Sequence, residues 1–229
     1  MNKWEQFFLQ DQNVAEKITT LLELKPKDTV LEIGAGKGEI TRNLSQTGAT
    51  VLAIEIDPAL KQYLRKIPGK VQVIIADALK VLKKKGYPNI SFNKITGSLP
   101  STIVEPLIHL LTKTDFELAV FLFPLKFAYK IFNHPVFTSF FEIEIVEKVS
   151  RKSFLPIPRT NWAIVKIRKK PNPLTTKEEE RFLKQYLYFH PKAKKINALA
   201  EGLIKFWSYQ GKFLTKKEAK KLATKNPLL

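Results

Sequence analysis

Thr29-Val30-Leu31-Glu32-Ile33-Gly34-Ala35-Gly36-Lys37-Gly38 runs from a short apolar strand into a glycine-rich turn, and Glu39–Gln46 behind it has the length of a helix. Glycines at that point let a ligand approach the backbone at the carboxyl edge of a sheet. Working outward, further apolar runs bounded by breakers follow at Thr50–Ile56, Val71–Ile75, Phe92–Thr96 and Leu118–Phe123. Helix-length stretches at Pro58–Lys66 and Ile103–Thr112 separate most of them, and upstream Val14, Ile18, Leu21 and Leu22 recur at helical spacing. Strands that alternate with helices predict βαβ units and a parallel sheet covered on both faces. Two later strands, Phe140–Val149 and Trp162–Arg168, have only Arg151–Asn161 between them, with Pro156 and Pro158 inside. No helix fits there, so this pair is expected to be antiparallel. The reading is an α/β, Rossmann-like sheet of seven strands whose last strand is antiparallel.

The 229 residues are 44% hydrophobic and 26% charged, enough for a real core and incompatible with disorder. The longest uncharged apolar stretch, Leu118–Leu125, is too short to cross a bilayer. No apolar secretory core follows Met1, so an intracellular, cytoplasmic protein without a membrane partner is expected. The chain has no cysteine and only His109, His134 and His190, which excludes thiol chemistry and leaves little for a metal site. Lys+Arg 39 against Asp+Glu 21 gives +18, a charge that points to a polyanion, most often nucleic acid.

Lys170-Pro171-Asn172-Pro173 reads as a linker that divides residues 1–170 from a tail at 171–229. Two capping-box patterns, Thr176–Glu179 and Thr215–Glu218, open helices in the tail. The tail holds 13 Lys/Arg against 5 Asp/Glu, with Phe182, Tyr186, Tyr188, Phe189, Phe206, Trp207, Tyr209 and Phe213 interleaved. A small helical lobe with an aromatic core and a basic surface for RNA or DNA follows from that composition.

Acidic residues decide what the glycine loop holds. Glu55 ends the second strand of the sheet, where a carboxylate can take both hydroxyls of a ribose. Asp77 ends the third, where its carboxylate or an adjacent amide can meet an adenine edge. Glu32 stands directly before the glycines, where a carboxylate would repel a pyrophosphate. S-adenosylmethionine carries no phosphate and is cationic at sulfur and at the amine, so acidic walls suit it. The spacing Gly-x-Gly-x-Gly also departs from the dinucleotide pattern. Each acid taken alone could be a solvated strand end; three in order on successive strands argue for a site.

Over nearly its whole length the chain resembles the ribosomal RNA adenine dimethyltransferase family. Gln6-Phe7-Phe8-Leu9 is similar to the family's Gln-Asn-Phe-Leu, whose residues close over the cofactor. Gly34, Glu55 and Asp77 match its cofactor-binding glycine, ribose acid and adenine-side acid. Phe154-Leu155-Pro156-Ile157-Pro158-Arg159 resembles its Phe-x-Pro-x-Pro-Lys segment beside the target base. Lys194-Lys195-Ile196-Asn197-Ala198-Leu199 resembles a basic helix of its RNA-binding lobe. Three features depart from the pattern. Ser98-Leu99-Pro100-Ser101 replaces Asn-Leu-Pro-Tyr, Phe7 replaces Asn, and the segment from Phe132 to Phe140 is short.

The resemblance implies an S-adenosylmethionine-dependent methyltransferase acting on an exocyclic amine of RNA, with small-subunit ribosomal RNA as partner. Ser98, Leu99 and Pro100 are the expected catalytic set. Gln6, Leu9, Gly34, Gly36, Glu55, Asp77 and Ser98 are expected around the cofactor, Phe154 and Phe7 against the base, and Lys194 and Lys195 on RNA. No metal is called for, and a monomer is expected. Because Ser101 cannot stack and Ser98 resembles the first serine of Ser-Pro-Pro-Tyr in cytosine-N4 methyltransferases, cytosine N4 is slightly favoured over adenine N6. The alternative is a catalytically silent, RNA-binding ribosome assembly factor on the same fold.

Overall fold

The computed structural model describes residues 6–83, 90–170, 176–190, 193–226 and 228. The chain opens with β1 (Phe8–Leu9) and α1 (Gln12–Leu21), the latter capped by Asp11, whose carboxylate accepts from the Asn13 amide. There follow β2 (Thr29–Ile33), α2 (Glu39–Gln46), β3 (Thr50–Glu55), a 3₁₀ turn at Pro58–Leu60 and α3 (Lys61–Leu64). Next come β4 (Val71–Ile75), α4 (Ala78–Leu82), β5 (Lys94–Ser98), α5 (Ser101–Leu111) and β6 (Leu118–Pro124). After α6 (Leu125–Phe132) and α7 (Pro135–Phe140) the chain enters β7 (Phe141–Val149), β8 (Phe154–Leu155) and β9 (Trp162–Lys169). It closes with α8 (Thr176–Phe189), α9 (Lys195–Tyr209) and α10 (Lys216–Ala223).

Seven strands form one sheet in the order β4-β3-β2-β5-β6-β9-β7. The pairs from β4 to β6 are parallel, and β9 is antiparallel to both β6 and β7. Alternate residues feed opposite cores. Leu118, Val120 and Leu122 of β6 pack with α1 and α2, while Ala119, Phe121 and Phe123 pack on the other face with α5 and the C-terminal helices. Both faces of the central strands are covered, which is why β3 and β6 read as apolar runs, whereas the edge strand β7 alternates apolar with charged residues.

Some boundaries differ from the sequence reading for visible reasons. β5 starts at Lys94 instead of Phe92, because the Asn93 side chain is engaged at the strand start, accepting from the Thr29 amide at 3.0 Å and donating to Asp28 at 2.9 Å. Within Arg151–Asn161 the chain makes a 3₁₀ turn (Arg151–Ser153) and the two-residue β8, which pairs with β1 in a second, small sheet. α7 occupies the short segment after Phe132, where no helix was expected. The Thr215–Glu218 capping box is formed. Linker positions 171–173, and the side chains of Thr176, Tyr188 and Phe189, lie outside the described residues.

The tail helices have no separate core. Phe182, Leu183, Tyr186, Leu203 and Phe206 belong to the same buried cluster as Phe121 and Phe140. At the joint, Tyr209 is hydrogen-bonded through its hydroxyl to His109, and the two rings stack at 5.1 Å.

Candidate active site

At the carboxyl edge of the sheet the chain leaves β2 through Gly34 and Gly36, both with positive φ (68° and 59°), a conformation that favours glycine. The amides of Gly34 and Ala35 both donate to the Ile54 carbonyl, at 2.8 and 3.0 Å, folding the loop over the end of β3. Glu55, 4% exposed, secures the loop: its Oε2 accepts from the Gly36 amide at 2.8 Å. Its Oε1 accepts from the amides of Ile56 and Asp57, at 2.8 and 2.9 Å. Three backbone donors leave such a carboxylate roughly one of its four acceptor sites for a ligand. Asp77 caps α4 through Oδ1, which accepts from the Leu79 amide at 2.9 Å.

The N-terminal segment closes this edge. Phe8 and Leu9 pair with Leu155 and Phe154, and Gln10 donates to the Ser153 carbonyl at 2.8 Å. The two stretches that carried the family resemblance most specifically are therefore hydrogen-bonded to each other. The Phe8 ring lies 3.4 Å from where a Cβ on Gly36 would stand, and the Lys37 ammonium sits 4.8 Å from the ring centre. Gln6 donates to Asp57 at 3.1 Å.

Between these parts lies a cavity of about 320 Å³. Gln6, Phe7, Gly34, Gly36, Glu55, Asp77, Ser98, Leu99 and Pro100 all line it, so the structure brings most of the expected set together. Ser98 ends β5, and its Oγ is buried with no hydrogen-bond partner among the described residues. The Leu99 amide donates to Leu122 of β6 at 3.0 Å, and Pro100 holds the position before α5. Leu9 is buried and lines a smaller adjoining recess with Glu32 and Ser98.

Other expected residues fall elsewhere. Phe154 is 2% exposed, packs against Trp162 with ring centres 4.6 Å apart, and does not line the cavity. It has no free face for a base as it stands, whereas Phe7 does reach the cavity. Ser101 also stays out of the lining, which passes from Pro100 to Thr102 and Ile103. Lys194 and Lys195 are exposed at the start of α9, away from the cavity lining. Glu32 is fully buried under the loop, where it accepts from the Thr41 hydroxyl at 2.7 Å. Burial, with smaller contributions from Glu55 and Glu39, pushes its carboxyl up to about 8. It is thus largely neutral at pH 7, and the repulsion of phosphate ascribed to it falls to Glu55 and Asp77 instead.

Trp162 is the lining residue that the sequence reading used only as a strand start. The missed signal was topological. An antiparallel strand enters a parallel sheet at the carboxyl edge, so its first residue stands where ligands bind.

The acidic, glycine-cradled cavity with an orphaned hydroxyl at the end of β5 agrees with what the sequence matches. Residues 2–204 fit the family described as ribosomal RNA adenine dimethylase. The chain belongs to this family. It is 34% identical over 195 residues to a probable ribosomal RNA small subunit methyltransferase A of Methanococcus maripaludis (strain C6), covering 80% of this chain and 73% of that protein. The protein of the same name from Methanosarcina mazei is 33% identical over 193 residues, 79% and 69% of the two chains. Among solved structures, a dimethyladenosine transferase from Plasmodium falciparum superposes with a TM-score of 0.69 at 26% identity, over 94% of this chain and 86% of that one. The 23S rRNA methyltransferase ErmE gives 0.68 at 26% identity, over 85% and 84%.

This dimethylase-family chain is therefore an S-adenosylmethionine-dependent methyltransferase of ribosomal RNA. The match to an adenine dimethylase gives no support to cytosine N4. Nor does the serine at 101 strip the cavity of aromatic surface, since Phe7, Phe8 and Trp162 line it. Among the described residues no helix is long and apolar enough to cross a membrane.

Proposed function

We propose that this chain transfers methyl groups to N6 of adenine in small-subunit ribosomal RNA, converting the amine to its dimethyl form. The observation that carries the reading is the buried, unpartnered Ser98 Oγ, which lines one cavity with Glu55 and Asp77. The adenine amine is a poor nucleophile because its lone pair is delocalised into the ring. Ser98 Oγ and the Leu99 carbonyl accept its N–H groups, drawing the nitrogen toward a tetrahedral, near-attack geometry. Pro100 fixes the turn that presents both acceptors. S-adenosylmethionine, when bound, supplies the electrophilic methyl group. Glu55 accepts from a ribose hydroxyl with its remaining acceptor capacity, and Asp77 serves the adenine side. Gln6, Leu9, Gly34 and Gly36 enclose the ligand beneath the N-terminal segment, and Ser98 borders both ligands. No strong general base is needed, since the ammonium formed when the nitrogen takes the methyl group is acidic enough to release its proton to water.

In this reading residues 1–170 form the methyltransferase domain and 171–229 a basic lobe for RNA, with Lys194 and Lys195 on phosphates. The protein acts as a monomer in the cytoplasm, where small subunits are assembled. Replacing Ser98 by alanine tests the reading. Methyl transfer should fall about tenfold or more, the loss of one hydrogen bond made to the reacting amine, while RNA affinity is kept. Wild-type turnover in that variant would remove Ser98 from the mechanism. A wild-type chain that binds RNA and transfers no methyl group would favour the silent assembly factor.

A further inference from the structure

Trp162 is the first residue of β9 and stands opposite Pro124 at the end of β6. Ser98 is opposite Leu122, and Leu122 is opposite Ile164, so Trp162 and Ser98 share one sheet edge two strands apart. Both line the cavity, and among the described residues each carries a buried polar atom with no partner: the indole Nε1–H, a donor, and Ser98 Oγ, here an acceptor. Unpaired buried polar groups are rare in folded proteins and call for a reason. Two of them on the wall of one cavity, with complementary polarity, have that reason in a ligand that offers one acceptor beside one donor.

We propose that Trp162 holds the target base, its N–H donating to the ring nitrogen next to the amine while Ser98 accepts from the amine itself. The inference rests on the methyltransferase function argued above. Adenine presents this pairing at N1 and N6. The aromatic neighbours of Trp162 have different parts. Phe154, buried at 4.6 Å, backs the indole and fixes it. Phe7 meets it edge-on at 6.2 Å and 72°, is only half-buried, and lies in the irregular segment ahead of β1. Phe7 stands where an incoming base comes to rest, and the base replaces one aromatic contact of Trp162 with another. The aromatic wall that Ser101 cannot provide is thus supplied from β9.

Two measurements decide it, both on the full chain. With Trp4→Phe and Trp207→Phe leaving Trp162 as the only indole, a small-subunit RNA fragment carrying the unmethylated adenine should quench its fluorescence. The same fragment with the target position abasic should not. Trp162→Phe keeps a ring and removes the donor, so kcat should drop about tenfold while the Kd for S-adenosylhomocysteine stays at the wild-type value. Equal quenching by both RNAs, or wild-type kcat in Trp162→Phe, overturns the proposal. Loss of cofactor affinity in parallel with kcat also overturns it, because that is what a merely structural tryptophan would give. If the wild-type chain transfers no methyl group, the failure belongs to the function proposed above, and the fluorescence comparison alone still decides whether Trp162 meets the base.

Discussion

Glu55 and Asp77 each combine a structural duty with a candidate ligand contact, and the two separate by choice of substitution. Glu55→Ala releases three backbone amides as well as the ligand, so stability should drop along with affinity. Asp77→Asn keeps an oxygen for the cap of α4 and removes only charge. Each variant should weaken cofactor binding about tenfold or more, the loss of a charge-assisted hydrogen bond of roughly 1.5–3 kcal/mol. Calorimetry measures this, and wild-type affinity in both would refute the pocket. Glu32 carries a pH signature. Its carboxyl is raised from 4.5 to about 8, so over that interval the folded chain holds a proton that the unfolded chain has released. Stability from this group therefore falls as pH rises from about 4.5 to about 8 and levels off above. Glu32→Gln still accepts from Thr41 and should flatten the melting temperature over that range; an unchanged slope would place the titration elsewhere.

Elements were legible where burial imposes a pattern. β3 and β6 show as apolar runs because both faces are covered, β2 is interrupted only by Glu32 and the edge strand β4 by the exposed Gln72, and α2 was read at its true ends, Glu39 and Gln46. β1 and β8 were not, since two residues carry no periodicity and their pairing joins positions about 146 apart in the chain. Among the cavity-lining residues, Gly34, Glu55, Asp77 and Ser98 were readable because each stands at a strand end in sequence. Phe154 lies outside the cavity lining because its side chain packs into the core against Trp162, a position set by the pairing of β8 with β1 and by nothing local. At the start of α9, Lys194 and Lys195 are exposed. If they meet phosphates, replacing both by alanine should reduce the slope of log affinity against log salt by about 1.5 to 2, read from binding at several salt concentrations. An unchanged slope would assign them to a solvated face.

For the molecule as a whole, charge and core tell different stories about the tail. Its +8 of the total +18 marks it as a basic lobe in sequence, yet Phe182, Tyr186 and Phe206 are buried in the same cluster as the sheet's phenylalanines. The tail helices are thus packed onto the sheet rather than strung from it, on the face that carries Phe121 and Phe123. Composition shows the charge of the tail; only the fold shows where its helices pack. N6 of adenine is the proposed target of this chain. Ribosomal small subunits lacking the modification, incubated with the chain and isotopically labelled S-adenosylmethionine and digested to nucleosides, test it directly by mass spectrometry. Label in N6,N6-dimethyladenosine is the predicted result; label in methylcytidine, or in no nucleoside at all, would contradict it.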